Sequence, residues 1–67
     1  MKKVWYVTTD ELGSICDGWI KDNPHNNGYA HRWIVEDPDD SAYPDMEKYF
    51  IVMGANIGET VIVHSVW

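Results

Sequence analysis

The chain has 67 residues, a single cysteine, and five basic against eleven acidic side chains, for a formal net charge of −6. That length makes one domain, 1–67, able to bury only about 60% of its unfolded surface. One cysteine excludes a disulfide framework, a zinc knuckle and a CxxC redox motif, and the scattered basic residues argue against direct binding to a nucleic-acid backbone.

Met1-Lys2-Lys3 starts like a signal peptide, but Thr8, Thr9, Asp10 and Glu11 interrupt the apolar region of roughly 7–15 residues that should follow. The longest later apolar run, Tyr49 to Ala55, is well short of the roughly 18 residues needed to span a bilayer. The expectation is a soluble, cytoplasmic chain with its native N-terminus. The lack of a disulfide framework fits a reducing compartment.

Val4 to Val7 is β-branched and aromatic and reads as a strand. Thr8-Thr9-Asp10-Glu11 is a capping box, with acidic residues suited to the positive end of a helix dipole. Leu12, Ile15, Cys16, Trp19 and Ile20 follow at the spacing of one helical stripe, with Asp10, Ser14, Asp17 and Lys21 opposite. Gly13 and Gly18 each weaken this helix by roughly 1 kcal/mol relative to alanine, so its stability must come from packing on a sheet. Asn23-Pro24 ends it, and His25-Asn26-Asn27-Gly28 is turn chemistry.

Tyr29 to Glu36 reads as a second strand. Alternation puts Tyr29, His31, Trp33 and Val35 on the core face and Ala30, Arg32, Ile34 and Glu36 on the other. Residues 47–57 admit two readings. Met46, Tyr49, Phe50, Met53 and Ile57 have helical spacing, yet Tyr49-Phe50-Ile51-Val52 has the composition of a buried strand. The strand is favoured, with Gly54 to Glu59 as a hairpin loop into a final strand over Thr60–Trp67. The predicted fold is α+β, a small antiparallel sheet with one amphipathic helix on a face, in the order β-α-β-β-β. The alternative order is β-α-β-α-β.

Between these apolar segments lies the most distinctive stretch of the chain. Residues 36–47 hold six carboxylates (Glu36, Asp37, Asp39, Asp40, Asp45, Glu47) and no basic residue. A like-charged loop is expected to stay extended and solvated and to present a negative surface. An EF-hand reading starting at Asp37 fails, because Ala42 stands where the glycine belongs and Lys48 where the bidentate glutamate belongs. His31 and His64 fall on predicted strands and could neighbour each other, but a sheet histidine is ordinarily satisfied by local hydrogen bonds. No GxSxG, P-loop or HExxH motif occurs, and Cys16 on an apolar stripe reads as core filler. No catalytic residue, metal site or cofactor is predicted, and the chain reads as a non-enzyme.

The functional expectation is a small acidic binding protein. Its contact residues are Glu36, Asp37, Asp39, Asp40, Tyr43, Asp45 and Glu47, set against a basic surface of a partner. In an extended chain Asp37 and Asp39 stand about 6.6 Å apart, close to a phosphate spacing, which suggests nucleic-acid mimicry against a nucleic-acid-handling protein. In size and charge alone, compact acidic chains like this one resemble phage-encoded inhibitors of host enzymes or host defence. Two other classes remain open. One is a structural module that forms a homodimer by pairing its C-terminal strand at a sheet edge. The other is a metal-dependent enzyme using the carboxylates with His31 or His64.

Overall fold

A computed structural model describes residues 3–67; the expectation about a leader at Met1-Lys2 lies outside the described residues. The elements run β1 (Val4–Thr8), α1 (Thr9–Leu12), a 3-10 turn (Gly13–Cys16), α2 (Asp17–Asp22), a 3-10 turn (Pro24–Asn26) and β2 (Ala30–Ile34). A third 3-10 turn (Pro38–Asp40), α3 (Pro44–Met53) and β3 (Thr60–His64) complete the chain. The fold is α+β, with one main helix and shorter helical segments on a three-stranded mixed sheet.

The Thr8 hydroxyl accepts the Glu11 backbone N–H at 3.1 Å, as the capping box predicts. The helix it starts lasts one turn, because Gly13 takes φ +58°. That left-handed residue shifts the phase of the predicted stripe. Leu12, Cys16 and Trp19 are buried and Ile20 is half-buried, but Ile15 is turned out to solvent.

Residues 44–53 form a helix, so the favoured strand reading of 47–53 is corrected and the β-α-β-α-β order stands. Pro44 occupies the first turn, where its fixed φ and missing N–H cost nothing. Met46 and Phe50 are fully buried, with Tyr49 and Met53 beside them, while Ile51 and Val52 face solvent. The apolar run that resembles a strand is thus half helix stripe and half exposed surface.

With a helix there, Gly54 to Glu59 is no hairpin, and the chain passes from β2 to its antiparallel neighbour β3 by way of α3. The strand order is β1-β3-β2, with β3 parallel to β1 and antiparallel to β2. The expected purely antiparallel sheet is therefore a mixed one. The C-terminal strand is central rather than an edge, so both its ladders are occupied and it offers no edge to a second copy.

The helices lie on one face of the sheet. Val7, Val61, Val63 and Val35 meet Leu12, Cys16, Met46 and Phe50 in a single core. Trp19 packs edge-on against His31 (5.4 Å between ring centroids), Trp33 (6.0 Å) and Trp67 (6.0 Å). Such pairs add roughly 0.5–1.5 kcal/mol each beyond their burial, which matters in so small a core. His31 and Trp33 point inward as alternation predicts, but Tyr29, expected with them, is exposed.

The opposite face of the sheet is uncovered. Register gives it three rows: Val4–Thr60–Ile34, Tyr6–Ile62–Arg32 and Thr8–His64–Ala30. Tyr6 is 74% exposed, and Val4 and Ile34 are also exposed. No helix or strand among the described residues packs on these rows.

Candidate functional site

The acidic segment folds back on itself, which corrects the expectation of an extended loop. Asp37 Oδ1 accepts the Asp39 backbone N–H at 3.0 Å, and the Asp37 carbonyl accepts from Asp40 N–H at 2.9 Å. Asp37 thereby caps the turn Pro38–Asp40, an aspartate doing local capping ahead of a proline. Ser41 Oγ accepts the Tyr43 N–H at 3.1 Å, and the Tyr43 carbonyl accepts Met46 N–H at 3.1 Å as α3 begins. A 3-10 turn rises only about 2 Å per residue, so the extended spacing proposed for Asp37 and Asp39 does not exist here.

Glu36, Asp37, Asp39, Asp40 and Asp45 are all exposed. Glu47 is not; it is 0% exposed, which corrects its place among the surface carboxylates. Position 47 falls on the buried side of α3, next to Met46 and one turn before Phe50. Its Oε1 accepts the Trp33 indole N–H at 2.6 Å, and its Oε2 accepts the Glu36 backbone N–H at 3.2 Å. A buried carboxylate is tolerated only when it is hydrogen-bonded, and these two donors supply that. Glu47 ties the start of the acidic segment to the helix that ends it.

Tyr43 is half-buried, with its ring 6.0 Å from that of Trp33. Its hydroxyl donates to Asp22 Oδ2 at 2.8 Å. That hydrogen bond raises the phenol above its ordinary value, with lesser help from desolvation and the Asp22 charge. The side chain expected as a free interface anchor is thus a tether, and it joins Asp22 at the end of α2 to the acidic segment. Nothing in the sequence signals Asp22, which lies 21 residues away. A shallow depression borders this segment, lined by Arg32, Trp33, Ile34, Glu36, Ala42 and Tyr43 among others.

His31 and His64 do not neighbour each other across the sheet. Ala30, not His31, stands opposite His64, and His31 opposite Val63, so the two imidazoles project from opposite faces. His31 Nε2 lies 3.4 Å from the Asn26 carbonyl, while His64 is exposed. Among the described residues no three His, Cys, Asp or Glu side chains converge on a metal-sized site. Cys16 is buried, with Sγ 3.2 Å from the Gly13 carbonyl. Burial, and secondarily the charge of Asp17, pushes its thiol up, away from the reactive thiolate. No helix among the described residues is long and apolar enough to cross a membrane.

The chain matches no protein-family model, no curated protein and no solved structure.

Proposed function

We propose that this chain is a non-enzymatic binding protein whose acidic segment occupies a basic surface on a partner protein. One observation carries the reading. Five exposed carboxylates, Glu36, Asp37, Asp39, Asp40 and Asp45, sit on a segment fastened at both ends by Glu47 and internally by turn hydrogen bonds. A fastened charge cluster loses little conformational entropy on docking, so more of its electrostatic attraction appears as affinity. Asp22, held to Tyr43, extends the cluster along the surface. A nucleic-acid-handling protein is the partner class of fitting charge, and it would be blocked by competition with its own polyanionic ligand. The support for competition is the charge of the segment, since the compact turn removes the argument from phosphate spacing.

The test is retention of partners from a nuclease-treated bacterial lysate on the tagged chain, washed at low and then high salt. Salt-released, nucleic-acid-free retention of a basic protein is expected. The triple variant Asp37→Asn, Asp39→Asn, Asp40→Asn should lose it while staying folded, because asparagine also caps the turn. Retention that survives both salt and this variant would reject the acidic segment as the contact.

A further inference from the structure

We infer that the uncovered face of the sheet is a self-association surface on which two copies of this chain meet face to face. It does not rest on the acidic segment, although Glu36, the first residue of that segment, borders the face beside Arg32 and Ile34.

Composition is the first argument. The nine residues of the face are Val4, Tyr6, Thr8, Ala30, Arg32, Ile34, Thr60, Ile62 and His64. None is acidic, in a chain where eleven of 67 residues are, and Arg32 is the one arginine or lysine. Glu11 borders the face at its Thr8 end and Glu36 at its Ile34 end. Its exposed apolar groups, Val4, Tyr6 and Ile34, thus share one carboxylate-poor face of an otherwise acidic protein. A basic partner finds carboxylates only at its two ends. Two like-charged copies can approach here because their carboxylates stay at the periphery.

Row order is the second argument, and it selects the occupant. Consider a two-fold axis lying between the copies and parallel to the strands. It leaves β3 over β3 of the second copy and places β1 over β2 of the second copy. The middle row, Tyr6–Ile62–Arg32, then faces Arg32–Ile62–Tyr6. Each Tyr6 ring meets an Arg32 guanidinium of the second copy, a cation–π pair formed twice, on either side of an Ile62–Ile62 contact. The outer rows match as well: Val4–Thr60–Ile34 faces Ile34–Thr60–Val4. A two-fold axis perpendicular to the strands would put Arg32 on Arg32 and is disfavoured. Facing sheets pack about 10 Å apart at roughly 30°, which keeps these rows within side-chain reach.

Area sets the strength. Three strands of five residues make a patch of about 16 by 14 Å, far smaller than the roughly 800 Å² per partner of a standard interface. The dimer is therefore weak and forms reversibly at high concentration.

The experiment is a dilution series of the isotope-labelled full chain, from about 1 mM to about 20 µM, read by amide chemical shifts and by sedimentation. Expected are a rise in mass toward the dimer and shift changes on Tyr6, Arg32, Ile34 and Ile62. Arg32→Ala, an exposed site, removes both cation–π pairs and should weaken the dimer about ten-fold. Tyr6→Ala should do the same, and both variants should keep the wild-type far-ultraviolet spectrum. A monomer at 1 mM would overturn the inference. So would shift changes on Ile15, Tyr49 and Val52 around α3, or association unchanged in both variants.

Discussion

The indole N–H of Trp33 donates to the fully buried carboxylate of Glu47 at 2.6 Å, and the other oxygen of that carboxylate takes the backbone N–H of Glu36. One side chain thus joins β2, α3 and the start of the acidic segment. Removing a buried acceptor strands its donors, at about 1–3 kcal/mol each. Glu47→Ala should therefore cost roughly 2–5 kcal/mol, a large share of the stability of a small domain. Glu47→Gln keeps one acceptor oxygen and turns the other into a donor, and should cost about half as much. Urea unfolding followed by tryptophan fluorescence measures both, and the Gln variant stays informative if the Ala variant does not fold. An Ala variant within about 0.5 kcal/mol of the parent would contradict the tether.

Tyr43 and Asp22 make a second link, and its pH dependence has a definite sign. The phenol is raised above its ordinary value of 10.0, chiefly by donating to Asp22. The folded state therefore holds the proton more tightly than the unfolded chain. The stabilisation is complete below pH 10 and is lost as pH rises through the folded value. Tyr43→Phe should lower the melting temperature at neutral pH. The gap between the two proteins should narrow above pH 10, and a gap constant from pH 7 to 11 would show that the hydroxyl contributes nothing through its proton.

Glu59 behaves in the opposite sense. Its Oε1 accepts the Asn56 backbone N–H at 2.6 Å and the Asn56 side-chain amide at 3.0 Å, closing the turn that feeds β3. The Asn56 backbone N–H is the main reason its carboxyl lies below the ordinary 4.5. A lowered folded value means stabilisation present above 4.5 and lost as pH falls through the folded value. Glu59→Gln should reduce stability at pH 7 and flatten its acid dependence below 4.5. Identical acid unfolding of the two proteins would remove Glu59 from the account.

The parts of the fold that were legible in the sequence are those with local causes. The Thr8 cap, the end of the helical region at Asn23-Pro24 and the inward row His31, Trp33, Val35 each depend on neighbours within a few residues. Residues 47–53 read as a strand because Ile51 and Val52 are β-branched, yet both lie exposed on a helix whose other side carries the burial. The central place of β3 is hidden for a related reason, since a hairpin and a helical connection deliver the same apolar strand. Within the acidic segment, composition identified five exposed carboxylates. It gave no sign that the sixth, Glu47, points inward, because only the tertiary position of Trp33 makes that burial tolerable. The open face of the sheet is not legible in the sequence, because Tyr6, Ile62 and Arg32 become one row only through pairing across 56 residues of chain.

Gly54 tests the junction between helix and sheet. It ends α3 with φ +124°, a conformation L-residues rarely adopt. A Cβ there would also stand 2.9 Å from the Trp5 ring, held on β1 at the edge of the core. Both effects oppose any side chain, whereas a glycine kept only for flexibility would gain stability on substitution. Gly54→Ala should destabilise by about 2–3 kcal/mol, part backbone strain and part displacement of the indole. Adding Trp5→Leu relieves the steric part alone, so the pair should be non-additive by about 1 kcal/mol in a double-mutant cycle. Additive costs would mean that the backbone conformation carries the whole penalty and that Trp5 does not press on the helix end. Gly54→Ala as stable as the parent would refute both.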